Sequence, residues 1–342
     1  MTIQVPTALP LNDGIAESEW SLEEPLGEFE PTYAFGPGQV VRYATARWVA
    51  RLRFENLAQS DRHLLAAFAA HVGRHRSFWM YDPSHNMRGS FPSTELITPS
   101  MSWAVTTDRA ATADTDAVRM TRTGATTTGT LSSAALTVVT NAYYAWRGIV
   151  NLGAGSAHSI TPQAGSTATA SNYGAGSAGT TGGRFAIRAL PSAGSTMYVN
   201  LADSITLAAN WTQLGYYLLR RPSVVRALIV DGGSGSQTQT GSSLYVKGLS
   251  TSTAGVLRSG DMVEIVSATF SQMVRLTEDV NSDSSGQGFM HFEPMLRKAV
   301  SNLDLVIPLK PMVRMRLVTD PALLTRSGWF SNIEIECRES FV

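Results

Sequence analysis

Short runs in which apolar and polar residues alternate recur along this chain. In RWVARLRF, residues 47–54, every second residue from Trp48 to Phe54 is apolar, and arginines occupy most of the positions between. The runs VRMRLV, residues 313–318, and NIEIECRE, residues 332–339, have the same period of two. Because successive side chains of a strand point to opposite faces, each run predicts a half-buried strand. The chain is therefore expected to be mainly β.

One segment keeps a helical spacing instead. In SDRHLLAAFAAHVGRH, residues 60–75, apolar residues recur three and four positions apart, which predicts a helix. Ser60 is the predicted N-cap, and Gly73 suits the C-terminal end. A second strand is expected in RSFWMYDP, residues 76–83. The first zone, residues 1–92, is therefore expected to be a compact α+β flank with one helix.

Residues 93–230 are rich in Gly, Ser, Thr and Ala and nearly free of Lys. Short apolar runs such as AYYAWRGIVNLG, residues 142–153, and GRFAIRAL, residues 183–190, are separated by turn residues. This pattern predicts an antiparallel β-sandwich or jelly roll. The low-complexity stretch 153–183 is too polar to form a core, and we expect it to be a mobile loop or a loosely ordered edge.

The third zone, residues 231–342, contains four further short runs with glycine-containing turns, followed by the two runs near the C-terminus. It predicts a small antiparallel barrel or sheet with one polar side. Arg314 and Arg316 lie on the polar face of one of the last two runs, and Glu334 and Glu336 lie on that of the other. If these strands are neighbours, we expect their Arg and Glu faces to pair, contributing about 0.2–1 kcal/mol per pair.

The composition excludes several classes of protein. Of the 342 residues, 43% are hydrophobic and only 16% charged, and Lys+Arg and Asp+Glu balance at 27 each. No global field therefore favours nucleic acid or an acidic membrane, and no apolar run approaches the roughly 18–20 residues of a membrane span. No secretory signal is visible at the N-terminus. With one cysteine, no intrachain disulfide forms, so we expect stability to come from burial or assembly.

The stretch TEDVNSDSSGQGFMHFEP raises the question of a calcium site. Asp279, Asn281 and Asp283 stand at positions 1, 3 and 5 of an EF-hand loop. However, positions 6 and 12, which require Gly and Glu, hold Ser284 and Met290. A hairpin turn accounts for the same residues, because Asn, Asp, Ser and Gly favour turns. We therefore predict a hairpin and no metal site.

Catalytic patterns are weak throughout. His71 and His75 have a metal-compatible spacing, but HVGRH lacks the Glu of HExxH, and a solvated helix end is the preferred interpretation. Cys337 falls on the apolar face of its run, as an inert core thiol would. Asp114 and Asp116 would share a strand face, which is too little to indicate a glycosidase. The chain is expected to be no enzyme and to need no cofactor.

Aromatic residues of the middle zone offer a possible binding surface. Exposed Trp and Tyr on a sandwich form flat platforms that stack on sugar rings, whereas a sandwich of this size also needs large core residues. The candidate glycan-binding residues are Tyr144, Trp146, Trp211 and Tyr217. The alternative, that the tryptophans are ordinary core, stays open at this point.

The part of the third zone that starts at residue 241 with GSSLYVKGLSTSTAGVLRSGDMVEIV resembles a barrel segment of the distal tail proteins of long-tailed, siphovirus-like bacteriophages. The family pattern runs G-x-S-L-x-V-x-G-L, then L-x-x-G-D-x-x-x-I, then V-x-x-D-V-x-x-D-x-x-G, then P-x-L-R. The matching positions include Gly248, Leu249, Leu257, Gly260, Asp261, Ile265, Asp279, Val280, Asp283, Gly286, Pro294, Leu296 and Arg297. The first zone, with its Trp48 strand and SFWMYDP, is similar to the front half of the same domain. The resemblance covers roughly residues 30–90 and 231–342.

The resemblance implies a split belt or barrel domain, residues 1–92 and 231–342, interrupted by an inserted sandwich, residues 93–230. In this family six copies form a ring at the distal end of the tail tube, above the tip proteins, and some members carry a sandwich resembling a carbohydrate-binding module. The implied partners are therefore further copies of the chain in a homohexamer, the tail tube protein and the tail-tip or hub proteins. Such a subunit is made in the host bacterial cytoplasm and resides in the virion.

Two functional hypotheses follow. In the first, the chain is a structural ring protein of a phage tail, and its insert either binds host-surface glycan or serves as a spacer. In the second, it is a receptor-binding tail-tip protein or adhesin whose sandwich binds polysaccharide. Arg314, Arg316, Glu334 and Glu336, on polar strand faces, are candidate assembly residues. Neither hypothesis includes nucleic-acid-specific binding or a membrane span.

Overall fold

The computed structural model describes residues 9, 15–23, 26–29, 39–42, 46–83, 87–97, 101–106, 109–113, 117–123, 128–152, 158–176, 183–205, 216–232, 238–268, 270–319 and 333–341. Within these residues the chain is mainly β with one helix, which confirms the predicted fold class. The strands form antiparallel sheets and one closed barrel.

The first zone begins the chain with five strands and the helix. Its elements are β1 (Glu17–Glu23), β2 (Leu26–Phe29), β3 (Gln39–Arg42), β4 (Arg47–Phe54), α1 (Gln59–Val72) and β5 (Ser77–Tyr81). The predicted N-cap at Ser60 is wrong, because the N–H groups of Asp61 and Arg62 both donate to the Ala58 carbonyl at 3.1 Å and the helix begins earlier. Gly73 ends the helix at φ +56°, as predicted. Among the described residues, no helix has the length and apolar character that a membrane crossing requires.

The middle zone folds as two antiparallel sheets. Its strands are β6 (Trp103–Val105), β7 (Arg109–Ala113), β8 (Ala117–Arg122), β9 (Thr128–Ser133), β10 (Leu136–Thr137), β11 (Tyr144–Leu152), β12 (His158–Gly165), β13 (Gly174–Ala175), β14 (Gly183–Ala189), β15 (Thr196–Ile205) and β16 (Tyr216–Arg226). The six-stranded sheet has the order β13-β12-β15-β9-β6, with β10 beside β15, and the five-stranded sheet has the order β14-β11-β16-β8-β7. Ile160 and Leu201 of the first sheet share one core with Trp146 and Leu219 of the second, so the two sheets form a sandwich.

The low-complexity stretch contains an interior strand, β12, and is not a loop throughout. Ile160, Pro162 and Ala164 are buried at alternate positions, and this spacing places the strand against the sandwich core. The expectation of a loop over 153–183 is therefore wrong for His158–Gly165. Residues 153–157 and 177–182 lie outside the described residues.

The barrel follows the sandwich in the chain. Its strands are β17 (Leu228–Val230), β18 (Ser243–Lys247), β19 (Met262–Val266), β20 (Ser271–Leu276), β21 (Gln287–Glu293) and β22 (Leu305–Ile307). They close in the order β17-β18-β21-β20-β19-β22. Leu244, Val263 and Met290 belong to a buried cluster that fills the interior, so the barrel has a packed core.

The last two strands return to the first zone. They are β23 (Met312–Leu317) and β24 (Ile333–Glu339). With the early strands they complete a sheet of order β1-β4-β24-β23-β5, which we call the terminal sheet. Its inner face packs Trp48, Phe78 and Met315 against Phe68 of α1. The terminal sheet is thus assembled from strands that lie more than 200 residues apart in the chain.

β23 and β24 are neighbours, but the Arg–Glu pairing that was expected in that case is wrong. The register sets Arg316 opposite Arg338. Glu334 and Glu336 instead stand opposite Arg53 and Arg51 of β4. The predicted alternation of apolar and polar residues in each strand is correct. The error concerns the register between strands, which cannot be read from the pattern of one strand alone.

Several contacts tie the sandwich, the barrel and the terminal sheet together. The Trp48 indole Nε1–H donates to the Met273 carbonyl of the barrel at 2.8 Å. Arg297 binds the Glu339 carboxylate of the terminal sheet through two N–H groups, at 2.6 and 2.7 Å. A separate apolar cluster, which includes Ala145 of the sandwich, joins the sandwich to the barrel.

Cys337 is fully buried in the core of the terminal sheet, as predicted for an inert thiol. Burial raises the pKa of the thiol, which disfavours the reactive thiolate. We expect an aromatic disulfide reagent at mildly alkaline pH to leave the native protein unmodified and to label one thiol after denaturation. Rapid stoichiometric labelling of the native protein would contradict this placement.

Candidate functional site: a hydroxyl-lined groove on the sandwich

The predicted sugar-binding aromatics are not on the surface. Tyr144, Trp146 and Tyr217 are 3%, 0% and 1% exposed and belong to the sandwich core. Trp146 packs edge-on against Phe185, with ring centroids 4.8 Å apart. Trp211 lies outside the described residues. The prediction of a glycan platform on Tyr144, Trp146 and Tyr217 is therefore wrong, because the sandwich needs the volume of these side chains between its two sheets.

The open side of the six-stranded sheet carries a different surface. In HSITPQAG of β12, the alternate residues Ile160 and Pro162 are buried, whereas Thr161 and Gln163 remain partly exposed. The same alternation turns Leu131 of β9 toward the core. Because neighbouring strands repeat the pattern in register, hydroxyl and amide side chains gather on the outer face.

The strand register builds this surface in rows. Thr161 stands opposite Ala202 of β15, and Ala202 stands opposite Thr130 of β9. Ser204 pairs with Ser159 on one side and lies beside Thr128 on the other. The small side chain of Ala202 leaves a depression between two threonines.

This depression is part of a groove of about 430 Å³. The residues that line the groove are Thr106, Thr128, Gly129, Thr130, Ser159, Thr161, Gln163, Ala202, Asp203 and Ser204. We call it the threonine groove. A run in which small hydroxyl residues alternate with apolar residues is the sequence signal that could have indicated the threonine groove.

Hydrogen bonds hold both ends of the groove region. The Thr130 N–H donates to the Thr106 hydroxyl at 3.0 Å, which fixes β6 beside β9. At the other end, the turn that follows β12 folds over the sheet. There the Ser132 hydroxyl donates to the Ala168 carbonyl at 2.6 Å, and the Asn200 amide donates to the Ala170 carbonyl at 3.1 Å. The surface is thus held by backbone and turn contacts.

The groove has the chemistry of a site for a neutral polar ligand. A hydroxyl both donates and accepts hydrogen bonds, and the amide of Gln163 does both as well. Asp203 is the one carboxylate among the lining residues, and it is 3% exposed. Such a surface matches the alternating donors and acceptors of sugar hydroxyls.

A buried charge cluster fixes the sandwich to the rest of the molecule. Glu264 of β19 is fully buried and accepts hydrogen bonds from Arg147, at 3.4 Å, and from Arg184. The Met312 N–H and the Ser271 hydroxyl also donate to this carboxylate, at 3.0 and 2.6 Å. One carboxylate of the barrel therefore binds two guanidinium groups of the sandwich and one backbone amide of the terminal sheet.

The stretch around Asp279 is a hairpin, as predicted, since β20 and β21 are adjacent and antiparallel. Its polar side chains close turns at separate places. Asp279 accepts from the Ser259 N–H at 2.8 Å, and this bond, together with Arg258, lowers the pKa of its carboxyl group. Asp283 accepts from the Gln287 N–H at 2.9 Å.

Other candidate residues do not converge on a second site. His71 lies near the exposed end of α1, where limited burial and the neighbouring Arg76 lower its pKa. Asp114 and Asp116 lie outside the described residues. In the part of the chain that the structure describes, no group of three His, Cys, Asp or Glu side chains is placed to hold a metal ion.

The residues that carry the family resemblance build the barrel and its turns. Gly248, Gly260 and Gly286 have positive φ, a conformation that favours glycine. Asp261 is fully buried, and its carboxylate accepts hydrogen bonds from the backbone N–H groups of Arg88 and Arg258 at 3.0 and 2.8 Å. These motifs therefore specify the barrel and do not line the groove.

No protein-family model matches the chain, and no curated protein sequence has a significant match to it. Weak structural similarity exists to the adhesin domain of Epf from Streptococcus pyogenes, at 10% identity and a TM-score of 0.28, over 69% of this chain and 89% of that one. The N-terminal CBM22-1-CBM22-2 tandem domain of Xyn10C from Paenibacillus barcinonensis is similar at 13% identity and a TM-score of 0.26, over 73% and 98%. TM-scores this low do not establish a common fold, so the assignment of a sandwich rests on the two sheets themselves.

Proposed function

We propose that this chain is a non-enzymatic structural and attachment protein of a phage tail, and that its sandwich binds neutral host-surface glycan in the threonine groove. The observation that carries the attachment function is the groove itself, an open sheet face lined by hydroxyl and amide side chains. Such a lining supports reversible hydrogen bonding to sugars and offers no acid and base pair for hydrolysis.

The structural part of the proposal rests on the resemblance of the barrel segment and on the open face of the terminal sheet. On that face Arg51 and Arg53 form ion pairs of 3.5 and 3.6 Å with Glu19 and Glu17, and all four side chains are 49–72% exposed. Glu334 and Glu336 extend the same rows. A face of alternating charge suits a specific, polar contact between subunits of a ring.

Of the four candidate assembly residues, Arg316, Glu334 and Glu336 are accordingly proposed as ring contacts, whereas Arg314 lines a cleft. All four lie on that face, where Arg316 and Glu334 are exposed and Arg314 and Glu336 are half-buried. In a homohexamer of this chain, head-to-tail contacts close on themselves, and the tail tube and tip proteins would then cover the two sides of the ring.

Weak single sites are sufficient for this function. A groove of this size contacts few sugar rings, but a ring repeats it in every subunit. On a polysaccharide surface, repeated sites raise the overall avidity by about 10²–10⁴ over a single site.

The binding experiment uses a panel of neutral hexose oligosaccharides. We expect Thr161→Val to weaken binding by about 3- to 10-fold, because one hydrogen bond contributes about 0.5–1.5 kcal/mol. Ala202→Phe fills the floor of the groove and should abolish binding. Thr112→Val, on an exposed position of the other sheet, is the matched control and should bind as the wild type does. Unchanged binding by Ala202→Phe would contradict the assignment of the groove.

The second candidate function, a tail-tip adhesin, shares the groove but not the ring. The groove favours it equally, because its geometry does not depend on assembly. Two measurements are needed to separate the roles. Assembled tails that carry Ala202→Phe but fail to adsorb would show that the sandwich performs attachment. If the purified wild-type chain stays monomeric at high concentration, the adhesin is the better description.

A further inference from the structure

A large cleft lies where the sandwich, the barrel and the terminal sheet meet. Its volume is about 1100 Å³, slightly above the roughly 300–1,000 Å³ of small-molecule sites. β14 of the sandwich forms one wall, and the segment that precedes β20 of the barrel forms another. Trp79 and Arg314, which are paired in register on β5 and β23, line the side formed by the terminal sheet.

The cleft has more positive than negative charge. Two of its arginines, Arg184 and Arg297, are already neutralised by Glu264 and Glu339. Three further cations, Arg188, Lys298 and Arg314, line it together with one further carboxylate, Asp304. None of these three has an ion pair within the part of the chain that the structure describes.

The hydrogen-bond partners of the two arginines, Arg188 and Arg314, are uncharged. Arg188 donates to the Leu303 carbonyl at 3.4 Å, and Arg314 Nε donates to the Ser77 hydroxyl at 2.6 Å. Partial burial lowers the pKa of Arg314, which shows that its charge is held at a cost in solvation. An anion in the cleft would offset that cost.

The cleft also exposes flat apolar surface. Trp79 and Phe270 are half-buried, and Phe341 is 45% exposed. The guanidinium of Arg297 lies 3.9 Å from the Phe341 ring centroid, so cation and ring form one surface. Aromatic and guanidinium groups side by side suit a ligand that has both an apolar ring face and a negative charge.

We propose that this cleft binds an acidic glycan, whose sugar rings carry carboxylate groups. The carboxylates would lie between Arg188 and Arg314, with Lys298 at the rim, and the ring faces would contact Phe341 and Phe270. This site is separate from the threonine groove, which takes a neutral ligand, and the inference does not depend on the proposed function.

An acidic peptide fits this cleft less well. Peptides commonly bind by adding a strand to a free sheet edge, and β14 is the edge of its sheet. At this point, however, Gly174 of β13 approaches the Arg188 backbone so closely that an added Cβ would lie 2.1 Å from the Arg188 carbonyl oxygen. The edge is therefore covered beside Arg188, and recognition at that point comes from side chains.

The test is titration calorimetry of the full chain with tetragalacturonate and with its methyl ester, which has the same rings without the charges. We expect saturable binding of the acid at about 0.02 M salt that weakens at about 0.15 M, where the screening length falls to roughly 8 Å. The ester should bind at least about 10-fold more weakly. A tetraglutamate peptide tests the alternative ligand.

Variants assign the site. Arg188→Gln and Arg314→Gln should each raise the Kd for tetragalacturonate by about 5-fold or more, and the exposed Lys298→Gln should raise it without affecting folding. Arg74→Gln removes an exposed charge just after α1, outside the cleft, and should leave the Kd unchanged. Ala202→Phe in the groove should also leave it unchanged.

The proposal fails if tetragalacturonate does not bind, or if it binds equally well to Arg188→Gln, Arg314→Gln and Lys298→Gln. Tighter binding of tetraglutamate than of tetragalacturonate would assign the cleft to a peptide instead. Loss of tetragalacturonate binding in Ala202→Phe would place the acidic glycan in the groove.

Discussion

Glu264→Gln is expected to lower the free energy of unfolding by about 3–5 kcal/mol, because it leaves two buried guanidinium groups without their carboxylate. Arg147 and Arg184 have side chains only 1% and 7% exposed. Burial lowers the pKa of Arg147, and the charge of Glu264 opposes that shift. Chemical denaturation monitored by tryptophan fluorescence measures the effect.

Glu293→Gln is the matched control. Glu293 also binds an arginine, with Arg275 Nε at 3.1 Å, but the two side chains are 42% and 40% exposed. Exposed pairs contribute about 0–1 kcal/mol, so this variant should be close to the wild type. Equal effects of the two substitutions would show that the buried cluster contributes no more to stability than an exposed ion pair does.

A triple variant tests whether charge or shape is required. Replacing Glu264 by Leu together with Arg147→Met and Arg184→Met removes the buried charges as a set. Apolar replacement of a whole buried ion cluster is often neutral or stabilising. We therefore expect the triple variant to be more stable than Glu264→Gln alone.

Trp146→Ala should also destabilise the fold, by about 3–5 kcal/mol, as is typical when a large core side chain is truncated. Its side chain is fully buried and packs edge-on against Phe185. Differential scanning calorimetry measures the change. A sugar platform would behave differently, because loss of an exposed ring would leave stability unchanged and reduce binding.

Trp146→Phe separates volume from polarity. The indole Nε1–H is buried with no acceptor among the described residues, so its removal also removes an unsatisfied donor. We expect Trp146→Phe to lower the free energy of unfolding by less than about 1.5 kcal/mol.

Phe289→Ala is the exposed control. At a side chain that is 61% exposed, it should change the free energy of unfolding by no more than about 0.5 kcal/mol. Wild-type stability of Trp146→Ala would contradict the core placement.

Local periodicity predicted much of the fold. The alternation in RWVARLRF corresponds to β4, the helical spacing to α1 and the glycine-separated runs of the third zone to the barrel strands. Register was not predictable, because Glu334 meets Arg53 across about 280 residues of chain. A single strand's pattern states which residues share a face but not which strand lies beside them.

The candidate site was predicted less well. Trp and Tyr residues of the middle zone suggested a platform, yet a two-sheet sandwich buries its large rings, as Tyr217 shows. β12 was hidden within a low-complexity stretch, so Thr161 was not considered. The role of Glu264 was also not predicted from the sequence. β19 is covered on both sides, so its polar residue faces two other units and no solvent.

The most direct measurement is an electron cryomicroscopy map of the intact tail into which this chain is fitted. The proposed function predicts six copies in a ring at the distal end of the tube, with the charged face of the terminal sheet between subunits. The outer face of the six-stranded sheet, and with it Thr161, should point away from the tail axis. Absence of the chain from the tail, or a ring whose threonine grooves face the lumen, would contradict the proposed function.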